Sequence, residues 1–415
     1  MKNFEPHSTR TFPAYQLWAA AVGFAAVILT LIPHQIAAHE EQTLCGFNEA
    51  TPTGIQFAAS SGLTMSFGQS GDPGLSYVVE GERSLVLSWP AAGTYSLTID
   101  YRKDLFELSG SDRLQMDVFV AEGGELPSDM TLTHPLIGEV SARGTVLDDR
   151  WNLICFRTED IVNDGVGGEF VLSFTVNDSG SMALDNFRRT SLIPVIHRAT
   201  GHEKRCDLRW TPLWSNSGAS YTVYRALAGT GQFAALSPPT DAYGINSKFP
   251  AYSDFDVTNG TAYDYRVEAL VNGNTYLSDI VSVTPRAETD DEFLAGVGIA
   301  TGCFYWQTAY PYSGMGVFNG PTLFPGSSQS GGMGFSMTSL PVLVERGYLS
   351  REEAAERMRL AMRFLYYHTD RHHGIYGLVI DNRTGKRTTS SGRTFDTCDI
   401  SETAFLMQGI LTCRA

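Results

Sequence analysis

Alternation of apolar and polar residues with a period of two dominates the first half of the chain. Between about residues 44 and 190, segments such as Leu114–Val120 and Phe170–Val176 place an apolar side chain at every second position. Turn-forming clusters such as Pro90–Gly93 separate these segments. This spacing is typical of antiparallel strands with one buried face. We therefore predict a β-sandwich over residues 44–190.

A second set of alternating segments follows between residues 193 and 285. Leu208–Trp210 is an early strand with a core tryptophan, Tyr221–Arg225 is a central strand, and Tyr263–Ala269 alternates cleanly. Asn272-Gly273 is a strong hairpin signal. In their order and residue types these segments resemble a fibronectin type III domain, which usually serves as a spacer. We expect its aromatic residues to form the core rather than to stack on sugars.

The last predicted strand of the first sandwich carries a weaker resemblance. Its sequence, Ala183–Arg188, resembles the closing strand of jelly-roll carbohydrate-binding modules. A structural sandwich without any ligand fits the same residues equally well. Carbohydrate binding by residues 44–190 therefore stays open at this point.

The period changes after a polar linker at residues 286–291, and helices are predicted from there on. The segments Glu292–Trp306 and Gly334–Arg346 have helical spacing, and Ser350 with Glu353 forms a capping box at the start of a third helix. Residues 368–399 form a turn-rich excursion before a final helix that begins near Asp399. Helices joined by long loops on one side are typical of a scaffold that carries function in those loops.

Two carboxylates stand at the start of the final helix. Asp399 and Glu402 are three residues apart, so both project from one helix face. The run Ala404–Leu411 behind them is apolar on almost all sides, which predicts a buried helix. One interpretation is a capping box, with Asp399 as N-cap and Glu402 bonded back to it. The other is a catalytic or substrate-binding role, because carboxylates at a buried position are costly unless they are paired or used.

The N-terminal 38 residues have the pattern of an export signal. Leu17–Pro33 is apolar and small residues follow up to Ala38, where we predict cleavage. The apolar run is close to the lower limit of a membrane span, about 17–25 residues, so an uncleaved anchor is the alternative. With either outcome, we expect the remainder to be periplasmic or extracellular.

The net charge and the spacing of the cysteines argue against two kinds of binding site, one for nucleic acid and one for zinc. The net charge of −15 argues against nucleic-acid binding, which needs a basic surface. The six cysteines show no metal-binding spacing, so we predict no zinc site and no cofactor. Cys45 and Cys155 lie in one predicted domain, and export would permit them to pair.

Five segments of residues 289–415, taken in order, resemble one family, the glycoamylase-like family that includes bacterial endo-β-1,2-glucanases and part of the cyclic β-1,2-glucan synthases. They are Asp291–Leu294 with Tyr305-Trp306, Pro311–Met315, Gly331–Phe335 with Val344–Glu353, His373-Gly374 with Thr384–Lys386, and Asp399–Thr412. The last segment matches almost throughout. One departure is Tyr310, which stands where the family usually has histidine.

This resemblance implies an (α/α)-toroid of about six helical hairpins whose inner helices end at a sugar-binding cleft. It places Asp399 and Glu402 as the acidic pair that lines the cleft, and Tyr305, Trp306 and Tyr312 as candidates for stacking on substrate. It also implies inverting hydrolysis of β-1,2-linked glucan. The neighbouring His372 and His373 are more typical of loop histidines than of catalysts.

The family's domain runs several times further than residues 289–415. We therefore expect the chain as given to have little hydrolase activity, while a full-length counterpart cleaves β-1,2-glucan. The alternatives are a surface carbohydrate-binding or adhesion protein with a vestigial helical domain, and a gene fragment without stable activity. Two further expectations are that residues 44–285 fold alone, and that an apolar patch is exposed, formed by Phe405, Leu406, Ile410 and Leu411.

Overall fold

A computed structural model describes residues 42–49, 52–102, 105, 108, 112–157, 168–210, 220–236, 251–271, 273–307, 309–310, 313–314, 327–390, 393–394 and 397–414. The predicted export signal at residues 1–38 and the candidate Tyr312 lie outside these ranges. Within them, no helix combines the length and apolarity needed to cross a membrane. Over the described ranges the molecule is mostly β-sheet with few helices, which confirms the predicted β-rich character of its N-terminal part.

Eleven strands form the first sandwich. They are β1 (Gln42–Cys45), β2 (Ile55–Ala59), β3 (Thr64–Gln69), β4 (Arg83–Trp89), β5 (Gly93–Tyr101), β6 (Asp112–Val120), β7 (Ser128–His134), β8 (Gly138–Arg143), β9 (Arg150–Arg157), β10 (Glu169–Val176) and β11 (Gly180–Ser191). Their order is β2-β5-β10-β7-β8-β9-β6-β11-β4-β3, with β1 beside β11. Strand β8 pairs with both β7 and β9 and so joins the two layers.

The predicted period-two residues form the core of this sandwich. The alternating residues Leu114, Met116, Val118 and Val120 of β6 are fully buried. They pack against the equally buried apolar residues of β10 in one continuous cluster. This prediction is confirmed, and the cluster supplies the main hydrophobic stabilisation of residues 44–190.

A buried histidine inside this core makes the stability of the first sandwich dependent on pH. His134 is 1% exposed and its ring stacks on Phe170, with centroids 4.4 Å apart. Its Nδ1 accepts a hydrogen bond from the Leu136 N–H, and its Nε2 lies 3.0 Å from the Tyr101 hydroxyl. Burial lowers the pKa of His134 to about 4, because the charged imidazolium would lose its hydration.

We predict that acid destabilises the protein partly through His134. The unfolded chain binds this proton near pH 6.5, so the contribution of His134 is complete above that pH and falls as pH drops towards 4. The full loss is about 3 kcal/mol of unfolding free energy. Denaturant unfolding at several pH values, compared with a His134→Phe variant, measures it. Parallel pH curves for the two proteins would contradict the prediction.

The second sandwich has two smaller sheets. Its strands are β12 (Ile196–His202), β13 (Arg205–Trp210), β14 (Ser220–Leu227), β15 (Ala234–Ala235), β16 (Ala251–Asp254), β17 (Tyr263–Val271), β18 (Asn274–Leu277) and β19 (Val281–Val283). One sheet is β12-β13-β16, and the other is β15-β14-β17-β18 with β19 beside β17. The predicted core residues Trp210 and Tyr265 are 1% and 0% exposed. The core interpretation of these aromatics is therefore confirmed.

Four helices follow in the described ranges, with short strand pairs between them. The helices are α1 (Asp290–Gln307), α2 (Ser330–Glu345), α3 (Arg351–Tyr367) and α4 (Ile400–Cys413). The strands are β20 (Ser327–Gln329), β21 (Arg371–His372), β22 (Ile375–Tyr376), β23 (Val379–Asp381), β24 (Thr389–Ser390) and β25 (Arg393–Thr394). Ser350 and Glu353 form the predicted capping box of α3, with both reciprocal hydrogen bonds present.

Helices α2 and α4 run parallel and their backbones touch. A Cβ atom on Gly334 would lie 2.2 Å from the Phe405 carbonyl oxygen, and one on Gly409 would lie 2.2 Å from the Gly334 carbonyl oxygen. Further along, the Cys413 thiol donates to the Met337 carbonyl at 3.0 Å. Only glycine permits so close an approach. The two N-termini therefore lie at the same end of the helix pair.

A shared apolar cluster joins the first sandwich to the helices. Tyr77 is fully buried, with its ring 5.6 Å from Phe364 of α3 and 6.5 Å from Trp151 of β9. Phe119 of β6 packs on Trp151, and Leu406 of α4 belongs to the same cluster. Each sandwich keeps a core of its own, but residues 44–285 alone would expose these aromatics. The shared cluster thus argues against the expectation that this segment folds independently.

Three smaller expectations need correction. Helix α4 buries only Leu406 and Gly409, because it packs on one side against α2, so the prediction of a helix buried on most sides is wrong for this chain. In the predicted exposed patch, Phe405 and Leu411 are 50% and 54% exposed, but Leu406 is buried in the shared cluster. All six cysteines are free, so Cys45 and Cys155 do not pair in this structure.

Candidate carbohydrate site

The acidic pair lies where α2 and α4 begin. Asp399 is the N-cap of α4, and its Oδ1 accepts a hydrogen bond from the Glu402 N–H at 2.9 Å. The predicted N-cap is confirmed. Asp399 is also tied to the preceding hairpin, because its own N–H donates to the Tyr376 carbonyl at 3.1 Å. Asp399 therefore caps the start of α4 and also ties this helix to the preceding hairpin.

Glu402 bonds to a different helix from the one expected. Its Oε2 accepts from the Gly331 N–H in the first turn of α2 at 2.8 Å, rather than from the Asp399 N–H. The reciprocal half of the predicted capping box is therefore wrong for Glu402. A Cβ on residue 331 would lie 2.2 Å from that oxygen, so glycine is required for the contact. The N-termini of α2 and α4 therefore meet at this carboxylate.

Each carboxylate uses one oxygen in the hydrogen bonds described above. Among the described residues, Asp399 engages its Oδ1 and Glu402 its Oε2, so the second oxygen of each can meet a hydroxyl group. Glu402 is half-buried. Such an arrangement can accept hydrogen bonds from sugar hydroxyls or from a water molecule.

The aromatic candidates on α1 have structural partners. The Arg357 guanidinium lies over the Trp306 ring, 4.1 Å from its centroid, and Arg357 Nη1 donates to the Trp306 carbonyl at 3.1 Å. Burial lowers the pKa of Arg357 to about 10, which leaves it charged at neutral pH. Trp306 also packs on the cluster around Cys303 and Leu343. One face of its ring is thus covered, which weakens Trp306 as a stacking residue.

Tyr305 sits beside Trp306 at the end of α1. Its ring makes an edge contact with Phe304 at 5.4 Å, and burial raises the pKa of its hydroxyl. The contacts of Tyr305 and Trp306 are with their own helix, Arg357 and the cluster around Cys303 and Leu343. They do not reach Asp399 or Glu402 in the part of the chain that the structure describes.

Sequence reasoning missed two elements of the site. Gly331 is the partner of Glu402 although 71 residues separate them. The hairpin strand β22 is the second element, because the Tyr376 N–H donates to the Thr403 hydroxyl at 3.0 Å. The glycine-rich start of α2 was a usable signal for close helix packing. No sequence signal indicated the partner of β22.

Comparison with known proteins finds relatives that hydrolyse β-1,2-glucans. The chain is 33% identical over 230 residues to the exo β-1,2-glucooligosaccharide sophorohydrolase (non-reducing end) of Parabacteroides distasonis. The chain is related to the glycoamylase-like family. The match covers 53% of this chain and 30% of the sophorohydrolase, so the chain spans less than a third of that relative.

Solved structures of glycoamylase-like relatives align over different parts of the chain. The β-1,2-glucanase from Parabacteroides distasonis aligns over 87% of this chain and 55% of its own, at 23% identity with a TM-score of 0.46. The endo-β-1,2-glucanase from Chitinophaga pinensis, in complex with sophorotriose and glucose, aligns over 30% of this chain and 31% of its own, at 34% identity with a TM-score of 0.28. No protein-family model matches the chain.

Proposed function

We propose that this chain is part of an exported glycoside hydrolase that acts on β-1,2-linked glucan. The observation that carries the proposal is the placement of Asp399 and Glu402 at the joint N-termini of α2 and α4 in a glycoamylase-like sequence. Both carboxylates keep an oxygen for ligand while the other oxygen fixes their position. The relatives named above are β-1,2-glucan hydrolases, which supports this choice of substrate.

The helix arrangement supports an (α/α)-toroid as the scaffold. Parallel α2 and α4 are neighbours, and α3 returns the chain between them, as expected when inner helices alternate with outer ones. Under this proposal α2 and α4 are inner helices whose N-termini border the cleft. The helix-dipole ends and the two carboxylates then face the bound sugar together.

We propose inverting hydrolysis as the mechanism. Inversion needs a general acid that protonates the glycosidic oxygen and a general base that activates water on the opposite face of the sugar, with the carboxyl groups about 6.5–9.5 Å apart. Asp399 and Glu402 lie on one face of one helix end, so at most one of them is the acid or the base. Glu402, held between two helix N-termini by its hydrogen bond to Gly331, suits the orientation of a water or hydroxyl. The other catalytic carboxyl must come from elsewhere in the enzyme.

Linkage preference tests the proposal on the 415-residue chain itself. In native gels that contain dissolved glucan, we expect β-1,2-glucan to retard the protein, while β-1,3-glucan and a soluble β-1,4-glucan leave its mobility unchanged. Bovine serum albumin in neighbouring lanes controls for gel viscosity. Equal retardation by all three glucans, or none by β-1,2-glucan, would contradict the proposed substrate.

A further inference from the structure

Two adjacent tyrosines at the end of α3 stand out at the surface. Tyr366 is 62% exposed and Tyr367 is 45% exposed, and their rings meet edge to face with centroids 4.7 Å apart. Aromatic side chains are normally buried, because each carries a large apolar area. Two neighbouring aromatic rings that are exposed to solvent therefore indicate a binding surface.

An arginine holds the first of these rings in place. Arg371 Nη2 donates to the Tyr366 carbonyl at 2.8 Å, and its guanidinium lies 5.5 Å from the Tyr366 ring centroid and 5.8 Å from that of Tyr376. Arg371 is itself exposed. Its remaining N–H groups are placed beside the tyrosines, where they can donate to hydroxyl oxygens.

The hairpin tip next to Arg371 carries two exposed histidines. Strands β21 and β22 are joined by His373 and Gly374, whose φ angles are +50° and +82°. Positive φ at both turn residues favours asparagine and glycine, and a histidine there costs about 1 kcal/mol. The rings of His372 and His373 lie 4.3 Å apart at this tip. Both histidines are exposed on the hairpin that carries Arg371.

The second tyrosine, Tyr367, packs against the first sandwich. A Cβ on Gly71 would lie 2.6 Å from Tyr367 Cε1, so the glycine makes room for the ring. The surface thus spans the boundary between α3, the hairpin and a loop of the sandwich. Because the shared cluster fixes these parts to each other, the aromatic rings have a defined position.

The same hairpin leads to the candidate site. Tyr376, whose ring lies below Arg371, donates its N–H to Thr403 and accepts at its carbonyl from the Asp399 N–H. The hairpin that carries Arg371 is therefore hydrogen-bonded directly to the start of α4, where the acidic pair lies.

We propose that Tyr366, Tyr367, Arg371, His372 and His373, here called the Tyr366 surface, bind a glucose chain outside the candidate site. The ligand class is a neutral β-linked glucan. Pyranose rings present apolar C–H faces that stack on tyrosine, and their hydroxyls accept from arginine and donate to or accept from histidine. The inference rests on the proposed function and extends it to a second contact region for the same polymer.

The test uses native affinity electrophoresis of the full chain in β-1,2-glucan. The Tyr366→Ala/Tyr367→Ala double variant should bind with a dissociation constant about tenfold higher than that of the unmodified chain. The matched control is Phe255→Ala, which removes an aromatic ring that is 70% exposed in the second sandwich and should leave binding unchanged. His373→Asn keeps the positive φ of the turn and should weaken binding to a smaller degree. Unchanged melting temperatures show that the variants are folded.

Three outcomes would overturn the proposal, and they differ in what they mean. Binding by the double variant equal to that of the unmodified chain would exclude the Tyr366 surface and leave the proposed function intact. Absence of β-1,2-glucan binding by every form would reject the proposed function as well. Retardation that disappears in about 0.5 M salt would show that charge attraction, and not stacking on a neutral glucan, slows the protein, because stacking is not screened by salt.

Discussion

Trp151→Ala is expected to lower the free energy of unfolding by about 3–5 kcal/mol. Trp151 is 2% exposed, it packs on Phe119 and Tyr77, and its indole N–H donates to the Tyr77 carbonyl at 2.9 Å. Truncation therefore leaves a large cavity and an unsatisfied carbonyl at the boundary between sandwich and helices. Chemical unfolding followed by circular dichroism measures the loss. Phe255→Ala, at an exposed position, should change stability by no more than about 0.5 kcal/mol.

A double-mutant cycle shows whether the cluster is shared. Phe364→Ala removes the helical side of the same contact, because Phe364 meets the Tyr77 ring that also touches Trp151. The two substitutions should be non-additive, since each one loosens the packing of the other. Strict additivity, with the sandwich and the helices melting as separate transitions, would show that the two parts are independent.

The strands and helices could be predicted from the sequence, but the contacts between them could not. Strand β6 was predictable because apolar residues alternate over Leu114–Val120, and the start of α4 was predictable because Asp399 is a strong N-cap residue. Phe119 is apolar at a position of β6 where the alternation predicts a polar, outward-facing residue. This exception was the sequence signal for the shared cluster. The partner of Phe119, His368, lies far away in the chain, so no local pattern could pair them.

The helix α4 shows a second limit of sequence patterns. An apolar run such as Ala404–Leu411 indicates that a helix needs partners, but it does not say which ones are present. In the structure α2 covers one side through Gly334 and Gly409, while Phe405 and Leu411 remain open. Likewise, the spacing of Asp399 and Glu402 indicated a cap, whereas the bond from Glu402 to Gly331 depends on the packing of two helices.

The roles of the acidic pair give the second large prediction. In a β-1,2-glucan hydrolase that contains these 415 residues, Glu402→Gln and Asp399→Asn should each reduce turnover, and loss of an acid or base costs about 10²–10⁴-fold. Both substitutions keep the local structure, because glutamine can still accept from the Gly331 N–H and asparagine is still a good N-cap. The melting temperature should therefore change by only a few degrees.

Oligosaccharide release from β-1,2-glucan, measured together with the melting temperature for these two variants, shows whether Asp399 and Glu402 take part in hydrolysis. At least one of Glu402→Gln and Asp399→Asn is expected to lose turnover by about 10²-fold or more while its melting temperature is preserved. Full turnover in both variants, with lower melting temperatures, would show that Asp399 and Glu402 only cap helices and would contradict a carbohydrate site at this position.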